Sequence, residues 1–342
     1  MQRRRIALTL FLGLGLMLAT SAAMAQYQLT NLDSNQLGWA RHTDPLLANG
    51  WGLVHPPTGP FWISDNASGW STLYDGKGNI EGLRVLIPTA GGNGPGTPTG
   101  IVYNGSQEFQ VEGWASIFLF ATQDGTISGW APQSNFNQAI VAVNNSASKA
   151  QYTGLAITSK ASGNFIYAAD QANNKVDVYD GSFALVMSFT DSTLPAGFAP
   201  FGVQDIGGLV YVTFASTTGG NGGYVEVFRE DGTPVSPGKP LISGAPLNQP
   251  WGVAPAPSNF GPLSNTLLVS NNTTHGTINA FNVEHGTFVG QVKDTSGKPI
   301  VIDQLWGLAF GGGKAVNGGT NELFFTAGPG NNLAGTFGKI AF

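Results

Sequence analysis

The chain has 342 residues, with 15 lysines and arginines, 20 aspartates and glutamates, 49 glycines and no cysteine. The lack of cysteine excludes disulfides, thiolate metal sites and thiol nucleophiles, and a mildly acidic chain without a basic stripe is not expected to bind nucleic acid. Charged residues make up only 10% of the chain and hydrophobic residues 42%, which favours many short strands joined by tight turns.

The first 25 residues have the pattern of a secretory signal peptide. Three arginines at positions 3–5 precede the apolar stretch 6–18, and the small residues that follow end in Ala23-Met24-Ala25, an A-x-A cleavage site. The apolar stretch is shorter than the roughly 18 residues of a membrane-spanning helix. We therefore expect cleavage before Gln26, a secreted or periplasmic location, no integral membrane segment after cleavage, and one domain over residues 26–342.

A three-residue pattern then recurs six times. A large residue or threonine is followed by glycine and by an aliphatic residue, and successive glycines are 48 to 55 residues apart. The six occurrences are Trp51-Gly52-Leu53, Thr99-Gly100-Ile101, Thr153-Gly154-Leu155, Phe201-Gly202-Val203, Trp251-Gly252-Val253 and Trp306-Gly307-Leu308. Repeats of about 40 to 50 residues are typical of propeller blades and solenoids.

Each unit continues with further apolar runs. The second runs are residues 61–65, 117–122, 165–170, 209–213, 267–271 and 323–326, and the third runs are 71–74, 126–130, 175–179, 224–228, 277–281 and 336–340. Weaker fourth runs follow in five units, at residues 83–87, 139–143, 184–189, 239–243 and 288–293.

The sixth unit lacks a fourth run, whereas the apolar segment 27–32 belongs to no unit. We therefore expect that segment to complete the last unit and leave no open edge. The pattern predicts an all-β, six-bladed β-propeller whose N-terminal strand closes the last blade. A solenoid normally has shorter repeats with terminal caps, and two β-sandwiches would not share one repeat along the whole chain.

Several short sequence segments also resemble those of an uncharacterised family of exported bacterial propellers that is related in pattern to NHL-repeat propellers. The resemblance covers nearly all of the mature chain and rests on residues 44–47, 59–66, 71–76, 124–130, 299–303 and 305–308. It implies the propeller fold and brings no established activity. Some members carry a C-terminal PEP-CTERM sorting tail; residues 338–342 do not have that pattern, so we do not expect sorting by that route.

In a propeller, the loop before each innermost strand and the loop after the second strand open on the same face. The sequence therefore predicts one binding face whose aromatic and polar side chains are typical of a ligand site. The candidate binding residues are Trp51, Asp65, Asp124, Asp170, Phe201, Trp251, Asn271, His275 and Trp306. The expected partner is a small molecule, a carbohydrate or a protein.

The alternatives at these positions are structural or catalytic. The aromatic-glycine pairs can act as wedges between blades, and the Asp and Asn residues can bond turn amides. Oxygen ligands from Asp65, Asp124, Asp170 and Asn271 would suit Ca²⁺ or Mg²⁺ if they met at the axis. A divalent-metal-dependent hydrolase or lyase, with His275 as the best catalytic histidine, is therefore the alternative to a non-enzymatic binding protein.

Overall fold

The computed structural model describes residues 27–160 and 163–342, so the predicted signal peptide lies outside the described residues. Six sheets surround a central channel, and each innermost strand is the first strand of its unit. Blade 1 contains β3 (Gly50–Val54), β4 (Phe61–Asp65), β5 (Trp70–Tyr74) and β6 (Val85–Leu86). Blade 2 contains β7 (Pro98–Tyr103), β10 (Phe118–Thr122), β11 (Thr126–Trp130) and β12 (Ile140–Asn144).

The next three blades have the same antiparallel order. Blade 3 contains β13 (Tyr152–Lys160), β14 (Gly163–Asp170), β15 (Lys175–Asp180) and β16 (Leu185–Phe189). Blade 4 contains β17 (Phe198–Ile206), β18 (Leu209–Ser216), β19 (Gly223–Arg229) and β20 (Ile242–Ser243). Blade 5 contains β21 (Pro250–Pro255), β22 (Thr266–Asn271), β23 (Ile278–Asn282) and β24 (Phe288–Gln291).

Blade 6 combines the two ends of the described chain. It contains β25 (Leu305–Phe310), β26 (Glu322–Ala327), β27 (Thr336–Ala341), β1 (Gln28–Ser34) and β2 (His42–Thr43). The predicted six-bladed fold is confirmed. The sequence did not predict the fifth strand β2, nor the hairpin of β8 (Gln110–Val111) and β9 (Trp114–Ala115). Within the described residues, the helical segments are the short α1 (Pro329–Asn332) and two 3₁₀ turns, Ser146–Ser148 and Gly261–Leu263.

The hydrophobic core lies between neighbouring blades. Trp62 of blade 1 stacks on Phe118 of blade 2, with ring centroids 4.0 Å apart. On the other side of blade 1, Phe61 packs 4.3 Å from Phe324 of blade 6. Because each blade is covered on both faces, strands such as β4 and β10 are buried along their whole length. This explains why their sequences are apolar runs rather than alternating patterns.

Strand β1 closes the ring, as predicted. It pairs antiparallel with β27, from Gln28 opposite Ala341 to Ser34 opposite Thr336. Leu32 is fully buried in the core between blades 1 and 6. The Tyr27 hydroxyl donates a hydrogen bond of 2.7 Å to the Phe260 carbonyl and so ties the strand to blade 5. The N- and C-terminal segments thus share one sheet, and the outer edge of β27 is covered.

The buried carboxyl of Asp33 makes the stability of this closure depend on pH. Burial, followed by the charges of Asp44 and Asp75, raises the pKa of Asp33 to about 8. Between the unfolded pKa and pH 8 the folded protein holds a proton that the unfolded chain releases, so stability falls as pH rises through this range.

We expect Asp33→Asn, which cannot ionise, to lose less unfolding free energy than the wild type between pH 6 and pH 9. Between pH 6 and the folded pKa of about 8, ionisation of Asp33 in the unfolded chain should lower the wild-type free energy of unfolding by about 1.4 kcal/mol for each pH unit. Urea unfolding at the two pH values measures it. Equal losses in both proteins would contradict the assignment; Glu226, whose pKa burial also raises to about 8, contributes equally to both.

Candidate functional site: the central channel

One face of the ring carries the loops before the innermost strands and the loops after the second strands. In every blade, the N–H of the residue after the second strand donates to the carbonyl of the residue before the innermost strand. These six bonds are Asn66 to Asn49, Gln123 to Thr97, Gln171 to Gln151, Thr217 to Gly197, Asn272 to Gln249 and Gly328 to Gln304, at 2.8 to 3.1 Å. We call this side the near face; it is the face on which the binding residues were predicted.

Four repeated aromatic residues meet on the channel axis. Trp51 and Trp306 stack with ring centroids 3.7 Å apart, and Phe201 lies edge-on to Trp51 at 6.2 Å. Trp251 lies edge-on to Trp306 at 5.8 Å. We call these four residues the aromatic cluster. The remaining two blades contribute the smaller buried residues Thr99 and Thr153, which leave room for the rings.

The aromatic cluster is buried. Its side chains are only 2% to 9% exposed. The indole N–H of Trp251 donates to the Thr153 carbonyl at 2.9 Å, and that of Trp306 donates to the Asn49 side chain at 3.0 Å. The predicted convergence is therefore present, but the rings pack against one another and offer little surface on which a ligand could stack. Ligand binding by these four residues stays a prediction.

The repeated glycines form the narrowest part of the channel. A Cβ at Gly202 would lie 2.1 Å from the Trp251 carbonyl oxygen, and one at Gly100 would lie 2.2 Å from the Leu155 nitrogen. Similar approaches occur at Gly52, Gly252 and Gly307. Only glycine permits innermost strands to approach so closely. The space remaining on the axis at this level is about 40 Å³.

A cavity of about 560 Å³ opens on the opposite face, which we call the far face. One rim residue from each blade surrounds it, in every case the third residue after the repeated glycine. These rim residues are His55, Tyr103, Ile157, Asp205, Pro255 and Phe310. Apolar side chains such as Leu53, Ile101, Val253 and Leu308 form its deeper wall. This far-mouth cavity was not predicted from the sequence.

One basic and one acidic side chain, His55 and Asp205, lie at the far-mouth cavity. Asp205 is half-buried, and burial raises the pKa of its carboxyl although the Gly208 N–H donates to it at 3.1 Å. The ring nitrogens of His55 are both in contact with protein atoms. Nε2 lies 3.0 Å from the Phe310 carbonyl oxygen, while Nδ1 lies 2.9 Å from that of Pro56 and 3.2 Å from the Asn317 amide nitrogen. His55 thus connects blades 1 and 6.

Two of the predicted acidic residues are bonded inside the protein. Asp65 is fully buried and accepts the Thr72 hydroxyl at 2.7 Å. Burial holds its pKa well above the usual range, although the hydrogen bond from Thr72 acts in the opposite direction. Asp124 is half-buried and accepts hydrogen bonds from the Thr122 hydroxyl and the Ala90 N–H. The Thr72 contact joins β5 to β4, and the Ala90 contact joins the segment between blades 1 and 2 to the turn after β10.

The other predicted polar residues are bonded within their own blade or exposed. Asp170 is buried and accepts the Gln151 N–H at 3.0 Å. Asn271 occupies the same position in blade 5 and accepts the Asn248 N–H at 3.0 Å. Each residue bonds the loop before the innermost strand of its own blade, which is the structural alternative predicted for these positions. His275 is exposed, with the Thr274 hydroxyl 3.2 Å from its Nδ1.

The described residues provide no support for the metal-dependent alternative. Within residues 27–160 and 163–342, no group of three or more His, Asp or Glu side chains is arranged to hold a metal ion. Asp65, Asp124, Asp170 and Asn271 do not meet at the axis because each bonds its local surroundings. In the same part of the chain, no helix is long and apolar enough to span a membrane.

No protein-family model matches the chain. A solved structure of virginiamycin B lyase from Staphylococcus aureus is similar over 93% of this chain and all of the lyase, with a TM-score of 0.56. Its 11% sequence identity supports the propeller fold alone.

Two relatives come from Acanthamoeba polyphaga mimivirus. Uncharacterized protein L690 is 30% identical over 84% of this chain and 79% of its own length. Uncharacterized protein R648 is 30% identical over 93% of this chain and 81% of its own length. The resemblance implied bacterial relatives, whereas these relatives are viral; the links to NHL repeats and to PEP-CTERM tails stay predictions. The chain belongs to the protein family that includes R648 of Acanthamoeba polyphaga mimivirus.

Proposed function

We propose that this protein is an exported, non-enzymatic propeller that holds a small molecule in the far-mouth cavity. The ligand has an apolar body and an amino group. The observation that carries the proposal is a closed-ended apolar cavity on the axis with one half-buried carboxyl, Asp205, at its rim. The predicted ligand-binding function is retained, but its main site is assigned to the far face instead of the near face.

The shape of the cavity favours a small ligand. Its volume of about 560 Å³ lies within the range of roughly 300 to 1,000 Å³ that is typical of small-molecule sites. The glycine constriction and the aromatic cluster close its inner end, so that it is a pocket and not a pore. All six blades contribute to the rim; five of the six rim residues lie within innermost strands, and His55 directly follows β3.

The charge of the cavity favours an amine. No lysine or arginine of the described residues lines it, and Asp205 is its one acidic side chain. Burial disfavours the charged form of this carboxyl, and a bound ammonium group would favour that form again by Coulomb attraction. A carboxylate ligand would instead meet repulsion from Asp205.

The arrangement favours binding over catalysis. A general base needs a nitrogen or oxygen within reach of the substrate proton, but both ring nitrogens of His55 face protein atoms. Asp205 has no second acidic side chain beside it at the cavity. The hydrolase or lyase alternative therefore has no supporting observation among the described residues.

Three probes with one naphthalene body test the proposal: 2-naphthylmethylamine, 2-naphthalenemethanol and 2-naphthoate. We expect calorimetric titration at pH 7 to rank the affinities amine above alcohol above carboxylate. Asp205→Asn should weaken amine binding roughly tenfold, the loss of about 1.4 kcal/mol expected for one half-buried ion pair, and leave alcohol binding unchanged.

Asp231→Asn is the matched control, because Asp231 is exposed in a turn after β19 and does not line the cavity. This variant should keep the wild-type ranking. If no probe binds the wild-type protein, or if Asp231→Asn has the same effect as Asp205→Asn, the proposed site is wrong.

Export is the second part of the proposal and depends on residues 1–25. Expression in a bacterium with intact secretion should yield a mature protein that begins at Gln26. Intact-mass measurement of the exported protein checks this. Recovery of exported protein that still carries residues 1–25 would contradict it, and Ala25→Pro, which should block cleavage, provides the control.

A further inference from the structure

A second cavity, also of about 560 Å³, lies on the near face beside the channel axis. It extends from blade 3 to blade 5. Gln151 precedes β13, Gln171 and Asn174 belong to the turn after β14, and Gln249 precedes β21. We call this cavity the near-face cleft. The aromatic cluster and the glycine constriction separate it from the far-mouth cavity.

The near-face cleft is polar and uncharged. No Asp, Glu, Lys, Arg or His among the described residues lines it. Three carboxamides, those of Gln151, Gln171 and Asn174, make no side-chain hydrogen bond to any described residue, and none of the three residues is buried. Each amide therefore has a free donor and a free acceptor for a ligand.

Other groups of the near-face cleft are held in place. Gln249 donates from Nε2 to the carbonyls of Ser216 and Gly220, at 3.3 and 3.2 Å, and this leaves its side-chain oxygen available. Phe198 is half-buried, and its ring stands edge-on to Tyr224 with centroids 4.9 Å apart. The cleft thus combines free amides with a fixed amide oxygen and a fixed aromatic ring.

We infer that the near-face cleft binds a neutral saccharide. Hydroxyl groups both donate and accept, as carboxamides do, and the apolar C–H face of a sugar ring can pack on an aromatic side chain. Because no cationic side chain of the described residues lines the cleft, an acidic or sulfated sugar would lose hydration of its charge without gaining an ion pair, and a neutral sugar is favoured. This inference is independent of the far-mouth cavity, since it uses other residues on the opposite face.

Calorimetric titration of the mature protein with maltotriose, cellotriose and trigalacturonate tests the inference. At concentrations up to about 10 mM, which covers weak ligands with a Kd of ~1 mM, at least one neutral trisaccharide should bind and the charged one should not. The double variant Gln151→Ala/Gln171→Ala should weaken binding roughly tenfold, as expected for the loss of two neutral hydrogen bonds. Its thermal midpoint should stay unchanged, because neither side chain has a partner.

Gln133→Ala, at an exposed glutamine outside the cleft, should leave saccharide binding at the wild-type value, and so should Asp205→Asn. The inference is overturned if neither neutral trisaccharide binds, if trigalacturonate binds equally well, or if the double variant binds as the wild type does. Because Asp205 and the naphthyl probes report on the other face, failure here is distinguishable from failure of the far-mouth site.

Discussion

Removal of residues 27–34 from the mature protein should abolish cooperative folding or leave an aggregation-prone protein. The deletion breaks the β1–β27 ladder, in which each hydrogen bond contributes about 1 kcal/mol net. It also removes buried Leu32 and exposes the edge of β27, which could then pair with another chain. Urea unfolding and light scattering measure the two effects. A synthetic peptide of residues 27–34 should restore part of the stability when added in trans.

A graded form of this test uses two leucines of the same strand. Leu32 is fully buried and Leu29 is 38% exposed. We expect Leu32→Ala to lower the free energy of unfolding by about 2 to 5 kcal/mol and Leu29→Ala to lower it by less than about 1 kcal/mol. Equal small losses, or an unchanged denaturation midpoint after the deletion, would show that β1 does not hold the ring closed.

Trp306→Ala should lower the free energy of unfolding by about 3 to 5 kcal/mol, the usual cost of truncating a buried tryptophan. Trp306 is 2% exposed, stacks on Trp51 and donates to Asn49. Its loss would leave a cavity on the axis and an unpaired amide oxygen. Denaturant unfolding measures the change. Trp306→Phe should show an intermediate loss, because it keeps ring packing and removes the hydrogen bond.

Trp114→Ala is the matched control for the aromatic cluster. Trp114 lies in the β8–β9 hairpin and is 52% exposed, so its truncation should cost less than about 1 kcal/mol. A folded Trp306→Ala protein of wild-type stability that has lost saccharide or naphthylmethylamine binding would show the opposite of what we expect. That result would show that the aromatic cluster contacts a ligand, as predicted from the sequence.

The architecture could be predicted because the same requirement recurs in each blade. Every innermost strand needs glycine where its neighbour's backbone approaches, as at Gly100 and Gly202, so the period of the glycines is the period of the blades. The sixth unit lacks a fourth apolar run of its own. Because a closed ring cannot leave β27 unpaired, residues 27–32 were predicted to supply that strand. Strand β2, with two residues, was too short to leave a pattern.

The six rim residues of the far-mouth cavity also share a regular spacing in the sequence. They occupy the third position after each repeated glycine, from His55 to Phe310. Their identities differ in every blade, so they do not form a repeated motif. A ligand site built on a symmetric ring needs different side chains at equivalent positions. A variable residue at a constant distance from the repeated glycine is therefore the sequence pattern that indicates such a site.

The sequence by itself determined the number of blades, the strand order within them, the closing segment and the face on which Trp51, Trp251 and Trp306 lie. Only the tertiary structure decided that these rings fill the axis instead of facing solvent, because side-chain exposure depends on how many rings meet at one point. It also decided that Asp65, Asp170 and Asn271 bond their own blades, since a carboxyl or carboxamide at a strand end can turn toward the axis or toward its own loop with the same sequence. The packing of six blades, which no single repeat encodes, selects between these orientations.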